Sequence, residues 1–203
     1  MMQELELVDL PEAFDECIAC WHKDASRSDG VVVAINPIAI ELAYRNFMLW
    51  HEEDKARRTD VADSEIAQVK RNIDRYNQQR NDLIEKLDEA ILSRLLSQGE
   101  MNPRLPINSE TPGSIVDRIS ILSLKVCHME EDTLRDDVSE EHRERSRARL
   151  AILREQRSDL ATALALLIDE YRLGKKQMKL YRQFKMYNDP SLNPEIYRRS
   201  NKQ

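Results

Sequence analysis

Two acidic triplets, each followed by an arginine, hold the residues of this chain best suited to chemistry. Glu52-Glu53-Asp54-x-x-Arg57 and Glu130-Glu131-Asp132-x-x-Arg135 each put carboxylates and a guanidinium within about one helical turn. Each is followed by a second motif, Gln79-Arg80-x-Asp82-Leu83 and Gln156-Arg157-x-Asp159-Leu160. The copies are offset by 78 residues at Arg57 and Arg135, and by 77 at Arg80 and Arg157. Carboxylates gathered around arginines serve either as an ion-pair network that fixes helix register or as a binding or catalytic cluster. The residue types alone leave both readings open.

The spacing around the second motif places its arginine inside an apolar stripe. Ile66, Val69, Ile73, Tyr76, Leu83, Leu87 and Ala90 recur at 3-4 spacing, and Arg80 fills the gap between Tyr76 and Leu83. Leu150, Leu153, Leu160, Leu164, Leu167 and Tyr171 form the matching stripe, with Arg157 in the same gap. A buried guanidinium that loses its partner costs about 3–5 kcal/mol, so both arginines must find acceptors. Helical spacing offers the preceding triplets as those acceptors. The expectation is an interior cluster of Glu53, Asp54, Arg57, Arg80 and Asp82 with Glu131, Asp132, Arg135, Arg157 and Asp159.

Other chemistries are weaker in the residues. Asp74, Asn77, Asn81, Glu85 and Asp88 make a polar stripe in the first copy, and the second copy has Ala151, Arg154, Ser158, Thr162 and Ala165 there, without the acids. Glu85-x-x-Asp88 matches half of the carboxylate pattern of helical Mg²⁺-dependent pyrophosphohydrolases. The alternative site is therefore Glu52, Glu53, Asp54, Glu85 and Asp88 around Mg²⁺ or Mn²⁺. Such a site would make the protein a hydrolase of a nucleotide or other phosphorylated metabolite. Otherwise no cofactor is expected. No Glu precedes any histidine by three residues, which excludes the di-iron bundle pattern. Cys17-x-x-Cys20-Trp-His22 would need two further zinc ligands, of which Cys127 and His128 are candidates without standard spacing. Small buried cysteines are the better reading. No Gly-rich phosphate loop and no Gly-x-Ser-x-Gly elbow is present.

Helices must position these residues. Four Gly and 7 Pro among 203 residues, and a composition rich in Leu, Ala, Glu and Arg, favour long helices. A short helix is expected from Pro11 to Lys23. Asn36-Pro37 opens a second that runs to about Arg58. Asp63 or Ser64 opens a third that runs to about Ser97, and a linker follows over residues 98–110. Thr111-Pro112 opens a fourth helix that ends near Arg135. Ser139, backed by Glu140 and Glu141, opens a fifth that runs to Leu173 before Gly174. Lys175 to Tyr187 reads as one more helix. The fold class is all-α: an antiparallel bundle of two duplicated hairpins, residues 37–97 and 112–173, with a short N-terminal helix and a C-terminal arm over 175–203.

The charge balance singles out that arm. Residues 171–203 hold nine Lys/Arg against Asp189 and Glu195, a net +7, and the chain total of −6 leaves −13 on the rest. Phe184, Met186, Tyr187 and Leu192 supply apolar anchors, so the arm is expected to dock on the body of its own subunit or of a twofold mate. No apolar run approaches the roughly 20 residues of a membrane span. The acidic start of the chain lacks the regions of a signal peptide. Three cysteines give no disulfide framework. The chain reads as soluble and cytoplasmic, with a homodimer expected and nucleic acid not expected as a partner.

Asn46-Phe-Met-Leu-Trp-His-Glu-Glu-Asp54, Asn77-Gln-Gln-Arg-Asn-Asp82, Thr111-Pro-Gly-Ser-Ile-Val-Asp-Arg-Ile-Ser-Ile121 and Gln183-Phe-Lys-Met-Tyr-Asn-Asp-Pro190 with Leu192-Asn-Pro194 together resemble a bacterial family, domain of unknown function 4254. The resemblance covers nearly the whole chain. It implies a stand-alone helical protein with no assigned reaction. Genes of this kind often neighbour envelope glycosyltransferase genes, so it also implies a role in surface polysaccharide assembly. It carries over no catalytic residue. The expected function is a binding or assembly protein acting with a protein or a phosphorylated small molecule.

Overall fold

A computed structural model describes residue 7 and residues 9–24, 36–97, 99–184 and 189–195. Five helices carry the chain: α1 (Leu10–Lys23), α2 (Pro37–Lys55), α3 (Asp63–Leu96), α4 (Pro112–Thr133) and α5 (Glu140–Arg172). The all-α class follows directly. Among the described residues, no helix is long and apolar enough to cross a membrane.

The helix starts follow local chemistry. Asn36 Oδ1 accepts from Ile38 N at 2.9 Å and Pro37 occupies the first turn of α2, where its missing N–H costs nothing. Ser139 caps α5 by accepting from His142 N at 3.2 Å. At α4 the Thr111 hydroxyl accepts from Ser114 N at 3.3 Å, and α3 supplies a second cap, Asp88 Oδ1 accepting from Gly113 N at 2.7 Å. That contact explains Gly113. A Cβ there would lie 2.7 Å from Ile84 O and 2.9 Å from Asp88 Oδ1, so only glycine lets α4 start this close to α3. α3 differs from expectation: it starts at Asp63 after Ala62, without a side-chain cap, and its first turn is stabilised by Asp63 and Glu65 against the helix dipole. Gly174, at φ 64°, ends α5 in the left-handed conformation expected of it.

α2 and α3 pack together across a short connection, as do α4 and α5, and α4 also touches α1, α2 and α3. Glu52 meets Asn72, while Asn46 and Leu49 lie beside Asn77 and Arg80. Contacts thus move up α3 as they move down α2. One aliphatic core runs through the bundle, with Leu42, Leu87, Ile91, Ile119, Leu124 and Leu164 fully buried and Phe14, Ile18 and Trp21 of α1 closing it. Truncating such a leucine to alanine costs about 2–5 kcal/mol. The α3 stripe is rotated from its expected face: Ile84 and Ile91 join the core, and Ala90 is exposed.

The expected helix over Lys175–Tyr187 does not form in the described part. Residues 175–184 run without helix, and Gln177 pairs in a parallel bridge with Ile107. Gln177 N donates to Pro106 O at 3.0 Å, and its side chain donates to Pro103 O at 2.8 Å and Leu105 O at 2.6 Å. Proline-containing backbone in the 99–110 linker offers carbonyls with no helix to use them, and the extended arm satisfies them. The apolar anchor is Met178, buried against the core. Phe184 is 84% exposed and Leu192 49% exposed, so neither of these expected anchors holds the arm. Met186 and Tyr187 lie outside the described residues.

Candidate functional site

Arg80 and Arg157 are held by carboxylates, but not those of the acidic triplets. Arg80 makes a two-pronged contact with Asp117 of α4, Nε to Oδ1 and Nη2 to Oδ2, both 2.9 Å. Asn46 Nδ2 donates to the same Oδ1 at 2.8 Å and to Ser120 Oγ at 2.7 Å, and Ser120 Oγ donates to Asp117 O at 2.8 Å. Asn77 Oδ1 accepts from Arg80 Nη1 at 3.3 Å. The Asp117 side chain is 5% exposed and that of Arg80 28%. Arg157 instead reaches Asp15 of α1 at 2.5 Å and Ser123 Oγ at 3.1 Å.

The triplets fail as partners because of where they fall on their helices. They occupy the last turns of α2 and α4, and Glu52 therefore faces Asn72 near the start of α3, about 12 Å along the axis from Arg80. Glu53 and Arg57 pair with each other at 3.0 Å on the surface. Asp82 accepts from Gln78 at 2.7 Å, and both Asp82 and Asp159 are exposed. Glu131 bonds His128. Asp132 gathers Arg135 (3.2 Å), His142 (2.8 Å) and Ser146 (2.5 Å). The hydrogen bonds from Ser146 and His142, aided by Arg135, hold the Asp132 carboxyl at about 2. The ten residues expected as one interior cluster therefore lie in separate places.

The five carboxylates of the alternative Mg²⁺ or Mn²⁺ site also lie apart. Glu52 is engaged by Lys55 at 2.7 Å and Asn72 at 3.0 Å; burial pushes its carboxyl up, and these two bonds bring it below the usual range. Glu85 accepts from Gln183 N at 2.7 Å and Arg182 at 2.9 Å, while Asp88 caps α4. Burial pushes the Asp88 carboxyl up despite bonds from Thr111 and Gly113. From Asn72 to Glu85 is about 20 Å of helix, too far for shared ligation of one ion.

Part of the expected cluster does converge. Glu53, Asp54, Arg57 and Arg80 line one cleft of about 420 Å³ between α2, α3 and α4, together with Asn46, Trp50 and Asn77. Its apolar base is Leu49, Ile121 and Leu124. The Arg80–Asp117–Asn46 network forms one wall, fully engaged and therefore rigid. The rim offers carboxylate acceptors, an amide, a guanidinium and an indole.

Sequence reasoning missed Asp117, Asn46, Asp15 and His51. Asp117, Ser120 and Ser123 form a three-spaced polar run inside the apolar start of α4, the one signal that marked Asp117. Cys17 is buried and its thiol is pushed up to about 11 by burial and by Cys20 and Glu16, in keeping with a packing role. His22 and His128, weighed with the cysteines, do meet, and His51 joins them. Burial, then His22 and His128, push the His51 imidazole below its ordinary value.

A family model with the description "Protein of unknown function (DUF4254)" matches residues 37–180, from the first residue of α2 into the docked arm. No curated protein matches the chain, and no solved structure does.

Proposed function

The chain belongs to the DUF4254 family of proteins of unknown function, and from its own geometry we propose that it is a binding or assembly protein whose α2–α3–α4 cleft takes a small polyhydroxylated ligand. The carrying observation is the convergence of Trp50, Asn77, Glu53 and Asp54 over the rigid Arg80–Asp117 wall. Alternating donors and acceptors match hydroxyl groups, which both donate and accept, and an indole packs against the C–H face of a sugar ring. Glu53 and Asp54 on the rim disfavour a phosphate beside them, and Arg57, one turn on, tolerates one at the ligand's outer end. This chemistry supports a place in bacterial envelope polysaccharide assembly, in the cytoplasm where sugar donors are made.

The same reading includes a homodimer. Ile152 and Leu166 are exposed and fourteen residues apart on one face of α5, and the exposed Leu173 follows seven residues on, at the helix's C-cap. Thermal shift and calorimetry with free sugars, sugar phosphates and nucleotide sugars test the cleft, since a true ligand stabilises by mass action. A saccharide should raise the melting temperature, and Asn77→Ala and Trp50→Phe should each weaken that effect while helicity is retained. Saturable binding unaffected by either substitution, or no binding by any saccharide, overturns the reading.

A further inference from the structure

Three of the four histidines of this chain meet at one end of the bundle, where the C-terminal ends of α1, α2 and α4 converge. His22 is in the last turn of α1, His51 one turn from the end of α2, and His128 near the end of α4. One ring nitrogen of each lies within 4.8 Å of the others. The rings stand nearly perpendicular, at 90°, 89° and 86°, with centroids 5.3, 5.1 and 5.9 Å apart. The proximity of one nitrogen from each ring brings three imidazole donors to one place.

His128 is already oriented as a ligand. Its Nδ1 lies 3.0 Å from Glu131 Oε2, and its Nε2 is buried without a hydrogen-bond partner among the described residues. A buried polar atom left unpaired is destabilising, and a bound cation would give it a partner. Imidazoles that ligate metals characteristically give their second nitrogen to a carboxylate, which fixes tautomer and direction. Trp50 stacks on the His128 ring at 4.8 Å and 13°, and Phe47 packs edge-on to His51 and His22. The electrostatics agree: three helix C-termini direct carbonyl dipoles at this end, Glu131 bonds His128, and Asp54 acts on His51 with Lys55 opposing it.

We propose that His22, His51 and His128 bind a borderline transition-metal dication, Zn²⁺ by preference, with Glu131 as the group that orients His128. Three imidazoles suit Zn²⁺, Co²⁺ or Ni²⁺ and not the hard Mg²⁺. Tetrahedral zinc with bonds of about 2.0–2.1 Å brings ligand atoms about 3.3 Å apart, so the site must tighten. His22, exposed at a helix end, is the ligand that moves. Cys127 and Glu131 meet His22 in a second group that includes neither of the other histidines, so the fourth position is left open to water. This site adjoins the saccharide cleft, sharing Trp50 and Asp54 with it, and its test uses no saccharide.

The full-length chain, stripped with a chelator, is titrated with ZnCl₂ by calorimetry and with CoCl₂ by visible absorption. One equivalent per chain is expected, with the intense d–d bands of four-coordinate Co²⁺. His51→Ala and His128→Ala should each abolish stoichiometric binding with helicity unchanged, while Glu131→Gln should weaken it about 10- to 100-fold. His142→Ala, which removes the fourth histidine, should leave stoichiometry and spectrum unchanged. Absence of an equivalent at micromolar Zn²⁺, octahedral Co²⁺ spectra, or binding lost in His142→Ala and retained in His51→Ala overturns the proposal.

Discussion

Arg80 and Arg157 stand 77 residues apart in matching gaps of two apolar stripes, yet their surroundings differ. Arg80 meets a carboxylate that is 5% exposed, shared with the buried Asn46 amide. Arg157 meets Asp15, which is 44% exposed, and a buried serine hydroxyl. The difference lies in which neighbour each hairpin faces. The first lies against the start of α4, where Asp117 is embedded between Val116 and Ile119. The second lies against α1, a helix outside the repeat. A repeated motif sets a residue's place on its own helix, and the elements packed outside the repeat decide its partner.

The largest expected effect breaks this pair apart. Arg80→Met leaves the Asp117 carboxylate in the core without its guanidinium, held by Asn46 alone, and should cost about 3 kcal/mol or more. Arg157→Met should cost only about 1 kcal/mol, because water can take over at the half-exposed Asp15. Urea titrations of both variants measure the difference, and a double-mutant cycle with Asp117→Asn should show strong coupling to Arg80. Equal losses for the two arginines would mean the two hairpins bury their charges alike.

The junction between the hairpins comes next. Gly113→Ala puts a methyl 2.7 Å from Ile84 O and displaces the Asp88 cap, for an expected loss of about 1–3 kcal/mol. Among the described residues no matching contact is found at the start of α2, where the cap is the local Asn36. Substituting Ile38 by Ala should therefore cost less than Gly113→Ala by thermal melting, although it removes side-chain carbons where the other adds one.

The helices were legible in the sequence because their signals are local: Asn36-Pro37, Thr111-Pro112, Ser139 with its acids, and Gly174 each act within a turn. Arg80 and Arg157 were legible as charges in apolar stripes. Their partners were not, since Asp117 and Asp15 lie 37 and 142 residues away and only packing brings them near. The triplets misled because an acid one turn beyond an apolar position continues the core only if the helix stays inside it. In the arm, apolar character favoured Phe184 over Met178. What counted was the gap in the core and the free carbonyls of the linker, neither of which the sequence displays. Likewise, the histidines of α1, α2 and α4 share no sequence spacing, only helix ends that meet.

A smaller effect separates the arm from the hairpin beneath it. Burial raises the Glu85 carboxyl, but the Gln183 N–H and Arg182 bring it below its ordinary value of 4.5. A carboxylate with a depressed folded pKa contributes stability that is complete above the unfolded value and is lost as pH falls through the folded one. The contact should thus be intact at neutral pH and weaken as pH drops below about 4.5. Hydrogen exchange at residues 177–184 should accelerate there before the bundle unfolds, and Glu85→Gln should remove the pH dependence. Arg182 also bonds Glu89 at 2.5 Å, so release of the arm should be partial.

The smallest expected effect concerns the motif that first drew attention. Arg57 is 69% exposed and pairs with Glu53 one turn earlier, so Arg57→Ala should change stability by about 0.5 kcal/mol or less. Arg135, its counterpart, ties Asp132 to Asp137 across the turn before α5, and Asp132 in turn holds His142 and Ser146. Its loss should show less in global stability than in local order, as faster amide exchange over residues 134–142. Salt separates the two further. An isolated exposed pair is screened within a Debye length of about 8 Å at physiological ionic strength, while a network of hydrogen-bonded charges retains part of its effect. If Arg57→Ala proves as costly as Arg80→Met, the acidic triplet belongs to the interior after all, and the cleft it lines is tighter than its exposure implies.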